Sequence, residues 1–121
     1  MPKKILIIDS DENVHKKLEL FLKAEGFEII QSFNGEEGLS LVKAKLPNLV
    51  IMDANASKIS GLVLISLLKK EPDTENIPVL LLTSGSPKIT GFLYKSPTPY
   101  KLPKPVDTND LINMAHEILS K

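Results

Sequence analysis

Three short runs of apolar residues, none interrupted by a polar residue, are the feature that most constrains how this chain can fold. They cover residues 5–8, 49–52 and 79–82. A strand with one face in water alternates apolar and polar residues, whereas a strand covered on both faces does not need to. The three runs therefore predict strands of a parallel sheet that lies between layers of helices.

The segments around these runs have the spacing of amphipathic helices. Apolar residues recur there at intervals of three and four: Val14, Leu18, Phe21 and Leu22; Leu39, Val42 and Leu46; Leu62, Ile65 and Leu68; Leu111, Ala115, Ile118 and Leu119. Gly26, Pro47 and Pro72 follow the first three groups and predict where those helices end. Residues 27–32 predict one further strand. This alternation predicts a doubly wound α/β fold with right-handed crossovers.

Residues 84–103 fit this plan poorly. They contain four of the nine prolines and two of the six glycines, which oppose both helix and sheet. The pattern predicts a short helix over residues 88–95 and a short edge strand over residues 100–102, where proline is tolerated. We expect this region to be the most irregular part of the fold.

Composition limits the classes of function. A chain of 121 residues with 42% hydrophobic residues predicts a single domain over residues 1–121. Fifteen basic and fifteen acidic residues give a formal net charge of zero, so we expect no attraction to nucleic acid or to an anionic membrane. The chain has no cysteine, and it has no apolar stretch that resembles a membrane span or a signal peptide. These observations predict a cytoplasmic location.

Polar residues with complementary chemistry follow four of the predicted strands. Asp9, Asp53 and Thr83 end the three apolar runs, and Lys104 follows the expected last strand. In an open parallel sheet the carboxyl ends of the strands share one edge, so these side chains should converge. Two carboxylates, a hydroxyl and an ammonium suit phosphoryl transfer to an aspartate with magnesium as the metal.

At this point the chain resembles the receiver domains of bacterial two-component response regulators. The motifs occur in that family's order: KKILIIDSDENV, PNLVIMDANASKISG, IPVLLLTS and KLPKPVD. The resemblance implies a flavodoxin-like sheet of five strands in the order 2-1-3-4-5. It implies a protein that is not an enzyme beyond its own phosphotransfer and dephosphorylation. It also implies a sensor histidine kinase or phosphotransfer protein as the phosphoryl donor and a downstream protein as the target.

The resemblance also implies a role for each residue at the sheet edge. Asp53 is the phosphoryl acceptor, and Thr83 and Lys104 sense the phosphoryl group. Asp9 and Asp53 are magnesium ligands, and Asn55 provides a backbone carbonyl for the same ion. The peptide bond that follows Lys104 belongs to the family's Lys-Pro pair, which is often cis.

Several positions depart from the family pattern. Ser10 occupies the place of the second acid after the first strand, which predicts weak magnesium binding. Ser57 stands where the family usually has proline, which predicts a looser loop after the acceptor. Lys101 lies three residues before the lysine, where the family has its switch aromatic residue, and Tyr100 is displaced from that place by one.

Two alternative functions remain open from the sequence. Ser10 and Lys101 favour a degenerate receiver that binds a protein partner without phosphorylation. The pair formed by Asp9 and Asp11 also resembles the nucleophile motif of haloacid-dehalogenase-like phosphatases, although Asn13 lies where that family has Thr or Val, and Asp53 has no role there.

Further residue assignments follow from the patterns. Asp11 is expected to cap the first helix rather than to bind metal. His15 and His116 are predicted on polar helix faces away from the acids. Met52 and the phenylalanines are predicted in the core.

Overall fold

The computed structural model describes residues 2–84 and 98–120. Its strands, in chain order, are β1 (Lys4–Ile8), β2 (Glu28–Ser32), β3 (Leu49–Asp53), β4 (Val79–Thr83) and β5 (Lys101–Pro103). Its helices in this part of the chain are α1 (Glu12–Ala24), α2 (Gly35–Lys45), α3 (Gly61–Leu68) and α4 (Thr108–Leu119).

The five strands form one parallel sheet in the order β2-β1-β3-β4-β5. This order confirms the predicted doubly wound, flavodoxin-like fold. The register aligns the ends of the central strands, since Ile8 of β1 lies opposite Met52 of β3, and Asp53 lies opposite Leu82 of β4. The residues that follow β1 and β3 therefore emerge side by side.

Alternate residues of the central strands pack into two separate cores. Ile5, Ile7 and Ile51 point to one face, where they pack with residues of α1 and α4. Leu6, Ile8 and Met52 point to the other face, towards residues of α2 and α3. All six side chains are fully buried, which is why the strands read as continuous apolar runs.

Each helix begins at a polar capping residue. Asp11, Asn34, Ser60 and Asp107 accept hydrogen bonds from backbone N–H groups of the first turns of α1, α2, α3 and α4, respectively. The predicted cap role of Asp11 is therefore confirmed. Gly26 has φ +93° just after α1, which fits its predicted place at the helix end.

Some apolar residues predicted in the core are exposed. Met52 is buried as predicted, but Phe21 is 38% exposed and Phe33 is 42% exposed, so the prediction that the phenylalanines fill the core is wrong for both. Leu46 is 49% exposed because α2 ends just before it, and Leu46 takes a left-handed conformation with φ 47°. Periodicity alone does not indicate that the backbone has left the helix at this residue.

The region around β5 is partly described. The edge strand lies at Lys101–Pro103, one residue later than the sequence predicted. The predicted short helix over residues 88–95 lies outside the described residues, as does most of the region expected to be irregular.

The helices described above were compared with what a bilayer requires of a spanning helix. None of them combines the length and the apolar character that crossing a bilayer requires.

Candidate functional site

The Lys104 side chain joins two carboxylates at the carboxyl edge of the sheet. Its Nζ lies 2.7 Å from Asp9 Oδ2 and 3.1 Å from Asp53 Oδ2. The contact with Asp53 is a hydrogen bond, and the contact with Asp9 is an ion pair. Three of the side chains predicted to converge therefore do so.

The two carboxylates differ in how far solvent can reach them. The Asp9 side chain is 0% exposed, whereas that of Asp53 is 19% exposed. The second oxygen of each already accepts a backbone hydrogen bond, from Asp11 N to Asp9 Oδ1 and from Asn55 N to Asp53 Oδ1, each at 2.9 Å. Asp9 is therefore an enclosed charge, and Asp53 is open to a reagent from outside.

The charge state of Lys104 reflects these neighbours. Burial lowers the pKa of the ammonium, but its close polar contacts with the negatively charged Asp9 and Asp53 carboxylates outweigh that effect and raise the pKa above its ordinary value. Lys104 is consequently cationic at neutral pH. It neutralises one of the two negative charges at this edge of the sheet.

Ser10 and Asp11 complete the turn between β1 and α1. Both residues are exposed, and Asp11 Oδ1 accepts a hydrogen bond from Asn13 N at 2.8 Å, so that oxygen is engaged in the helix cap. In the described ranges 2–84 and 98–120, no group of three or more His, Cys, Asp or Glu side chains is arranged to hold a metal ion. Two carboxylates, Asp9 and Asp53, thus flank the Lys104 ammonium at this edge of the sheet, and Ser10 lies in the adjacent turn.

The loop after β3 is tied to its surroundings. Ala56 N donates to Asp53 O at 3.0 Å, Gly61 N donates to Ala54 O at 3.1 Å, and the Ser57 carbonyl accepts from Gly35 N at 2.9 Å. These bonds argue against the loose loop that Ser57 predicted. Asn55 is exposed within this loop, next to the acceptor candidate.

Thr83 and Lys104 are linked through the backbone. The Lys104 N–H donates to the Thr83 carbonyl at 2.8 Å, and Thr83 pairs with Pro103 in the sheet. Thr83 is half-buried at the same edge as the carboxylates. The Lys104–Pro105 peptide bond is cis, as the resemblance implied.

Lys101 and Tyr100 lie at and next to the position where the resemblance places an aromatic switch residue. Lys101 is the first residue of β5, half-buried. Tyr100 packs against the core beneath α1 and α4, and its carbonyl accepts a hydrogen bond from Leu81 N at 3.0 Å. Tyr100 therefore contributes to the core and to sheet pairing.

Lys58, in the same loop, has a strained backbone that the sequence did not reveal. Its φ is 70°, and the flanking Ile59 N–H donates to the Ser57 carbonyl at 2.8 Å. A residue with a Cβ pays about 1 kcal/mol or more in this left-handed region.

We expect Lys58→Gly to raise the free energy of unfolding by ~0.5–1 kcal/mol, because the relief of strain exceeds the added flexibility of the unfolded chain. Urea denaturation measures the change. Lys58→Ala is the matched control, since it removes the side chain and keeps the Cβ, and it should have little effect. Equal stabilisation by both variants would mean that the gain comes from removing the lysine side chain and not from relieving backbone strain.

His15 lies in the core, so the prediction that it lies on a polar helix face is wrong. It is 1% exposed on α1, because that face of the helix covers the end of β1. Its Nε2 lies 2.8 Å from the Asp9 carbonyl, and its ring lies 4.3 Å from that of Phe33. His116 is exposed as predicted and pairs with Glu25 at 2.8 Å. The spacing His15, Leu18, Leu22 was the available signal that His15 shares the buried face.

Comparison with known proteins identifies the family. The model of the response regulator receiver domain matches residues 5–116. The chain belongs to this family. Receiver domains act in two-component phosphorelays, as signalling proteins rather than classical enzymes. The phosphatase alternative with Asp9 as nucleophile is therefore wrong, and the complete burial of Asp9 agrees with this outcome.

Individual relatives support the same assignment. A protein of Porphyridium aerugineum assigned as the transcriptional regulator ycf27 is 37% identical over 89 residues, which are 74% of this receiver and 37% of that regulator's length. The receiver thus spans well under half of such a relative.

Solved structures match over the full length. A crystal structure from Chloroflexus aurantiacus assigned as a response regulator has a TM-score of 0.91 at 30% identity and covers 100% of both chains. The receiver domain of a sensor histidine kinase from Pseudomonas aeruginosa also has a TM-score of 0.91 and full coverage, at 13% identity, and its structure holds a magnesium ion in the active-site cleft.

Proposed function

We propose that this receiver accepts a phosphoryl group on Asp53 and thereby changes its affinity for a protein partner. The observation that carries the proposal is the bridge from Lys104 to both carboxylates at the carboxyl end of β1 and β3. This arrangement gathers a nucleophile, a second acid and a cation for the transferred group in one place.

The difference in exposure supports Asp53, rather than Asp9, as the nucleophile. A donor must bring phosphorus to within bonding distance of a carboxylate oxygen, and only the Asp53 side chain is accessible to it. In the transfer, an Asp53 oxygen forms the new bond to phosphorus while the donor's phosphorus–nitrogen bond breaks. The electron pair of the broken bond returns to the imidazole nitrogen of the donor histidine.

The Lys104 ammonium would shift from the Asp53 carboxylate to the phosphoryl group after the transfer. Lys104 contacts Asp53 in the unphosphorylated protein, and its flexible side chain allows the ammonium to contact an oxygen of the phosphoryl group once Asp53 is phosphorylated. The Thr83 hydroxyl would donate to another phosphoryl oxygen from the neighbouring strand. Through these contacts, both residues would couple the presence of the phosphoryl group to the positions of β4 and β5.

The donor set at this edge fits magnesium. Asp9, Asp53 and the Asn55 carbonyl would hold the ion, with Ser10 or water completing an all-oxygen environment of low protein charge. When bound, magnesium would neutralise the negative charge that develops on the phosphoryl oxygens. With two acids and one competing ammonium, its affinity should be weak.

The partners follow from this role. We infer a sensor histidine kinase or a phosphotransfer protein as donor and a downstream protein as recipient of the signal. No nucleic-acid contact by this domain is required. The cytoplasmic location remains a prediction from the sequence.

A phosphorylation-independent protein-binding module is the second candidate. Ser10 weakens the metal site, and Lys101 replaces the aromatic residue that the family resemblance would place at the switch position. In this alternative the fold would bind its partner in the unphosphorylated state, with Lys104 permanently paired to Asp9 and Asp53.

Intact mass after incubation with acetyl phosphate and magnesium distinguishes the two candidates. The wild type should gain one phosphoryl group that hydroxylamine removes, because an acyl phosphate is labile to that nucleophile. Asp53→Asn should gain none, since an amide cannot form the acyl phosphate.

The control for this experiment is Asp9→Asn, which should still be modified on Asp53, but more slowly. No incorporation into the wild type at any magnesium concentration would favour the protein-binding module. Incorporation that persists in Asp53→Asn would contradict the assignment of the acceptor.

A further inference from the structure

The backbone carbonyl of Asp9 is hydrogen-bonded to the side chain of His15, a residue that has no role in the proposed phosphoryl transfer. β1 ends at Ile8, so the Asp9–Ser10 peptide unit lies beyond the strand. The His15 ring occupies the space beside it, with Nε2 2.8 Å from the Asp9 carbonyl oxygen. Because a carbonyl oxygen can only accept a hydrogen bond, Nε2 carries the hydrogen and donates the hydrogen bond to the Asp9 carbonyl.

The ring itself is fixed in place. His15 is 1% exposed, its centroid lies 4.3 Å from that of Phe33, and its backbone belongs to α1. Its Nδ1 is buried and has no hydrogen-bond partner among the residues that the structure describes. The single hydrogen bond to Asp9 is therefore the polar interaction that accounts for a histidine at this buried position.

Fixing this peptide unit fixes the residues on both sides of it. The Asp9 carbonyl and the Ser10 N–H belong to the same rigid plane. On one side Asp9 N donates to the Ser32 carbonyl at 3.1 Å, and on the other Asp11 N donates to Asp9 Oδ1 at 2.9 Å. His15 supplies the third restraint, which sets the rotation of the plane between these two anchors.

The geometry points to His15 as a positioning residue for the phosphoryl-acceptor site, acting through the Asp9–Ser10 peptide unit on the Asp9 carboxylate. The expected effect of His15 on magnesium binding and phosphorylation rests on the proposed function. Residues that orient metal ligands through a hydrogen bond commonly change metal affinity or activity by about 10- to 100-fold when they are replaced.

Two substitutions separate the hydrogen bond from the packing of the ring. His15→Phe keeps an aromatic ring against Phe33 and removes the donor, whereas His15→Gln places an amide donor near the position of Nε2. Leu22→Val is the matched control, because Leu22 is fully buried on the same helix and contacts the core away from the site.

The first measurement is amide hydrogen exchange of Asp9 and Asp11 by NMR in metal-free protein. Exchange should be faster in His15→Phe than in the wild type, and close to the wild type in His15→Gln and Leu22→Val. This readout does not depend on phosphorylation. Unchanged exchange in His15→Phe would overturn the inference.

The second measurement is the rate of phosphoryl incorporation from acetyl phosphate across a magnesium titration, at a temperature where all variants are folded. His15→Phe should need about tenfold more magnesium for the half-maximal rate, and His15→Gln should recover most of that loss. Equal loss in both histidine variants, or in Leu22→Val, would show a general effect of stability. Absence of phosphorylation in the wild type contradicts the proposed function alone, since the exchange measurement still decides the role of His15.

Discussion

Ser10→Asp should bind magnesium roughly ten- to a hundredfold more tightly than the wild type. A carboxylate at this position would add a full negative charge about one ligand distance from a divalent ion. At ~4 Å and an effective dielectric constant of ~20, one pair of unit charges interacts by about 4 kcal/mol. Repulsion from Asp9 and Asp53 in the metal-free protein and the loss of hydration cancel much of this, which leaves ~1.5–3 kcal/mol.

Calorimetric or NMR titration of magnesium measures this difference. Ser10→Asn is the matched control, because it has nearly the shape of aspartate without the charge, and its affinity should stay close to that of the wild type. Phosphorylation of Asp53 at low magnesium should increase in Ser10→Asp in parallel. If Ser10→Asp and Ser10→Asn bind magnesium equally well, residue 10 does not contact the ion.

Lys104→Met should lower the free energy of unfolding by about 3 kcal/mol at pH 7 without magnesium. The reason is the fully buried Asp9 carboxylate, which would lose the cation 2.7 Å away and keep a single backbone hydrogen bond. Adding Asp9→Asn to Lys104→Met should recover part of the loss, because it removes the uncompensated charge. Urea denaturation of the single and double variants measures both effects.

Lys23→Met is the control for this prediction. Lys23 forms an ion pair with Glu19 at 2.8 Å, but the Lys23 side chain is 57% exposed, so its loss should cost well under about 1 kcal/mol. A Lys104→Met effect as small as that of Lys23→Met would mean that the ion pair with Asp9 contributes little to stability.

The effect of Lys104 should also depend on pH in a defined direction. The folded-state pKa of Lys104 is raised, so its contribution to stability is fully present below the unfolded pKa of about 10.4 and is lost as pH rises through the higher folded pKa. The stability difference between wild type and Lys104→Met should therefore be constant from neutral pH to mildly alkaline pH. It should shrink above about pH 10.4.

The sheet and its edge were predictable because they depend on strong local patterns. Residues 5–8, 49–52 and 79–82 are apolar on both faces, and the polar residue that follows each run must emerge at the carboxyl edge. The structure confirms the strands, their order and the meeting of Asp9, Asp53 and Lys104. The resemblance supplied the strand order, which the patterns alone did not.

The errors arose where tertiary contacts decide the environment of a side chain. His15 looks polar in the sequence, yet a carbonyl left beyond the end of β1 provides a buried partner for it. Phe33 looks like a core residue, yet it follows the last residue of β2 and covers the histidine from outside. The sequence did not indicate the positive φ of Lys58, because the loop and not the residue type imposes this backbone conformation.

The turn between β1 and α1 keeps its shape through the residues on either side of Ser10. Asp9 is anchored by its own N–H and carboxylate, and Asp11 caps the helix, while Ser10 is exposed. We therefore expect substitutions of the exposed Ser10 side chain to have little effect on the stability of the fold. Under the proposed function, we expect the charge at position 10 to set the magnesium concentration that phosphorylation needs, independently of the stability of the fold.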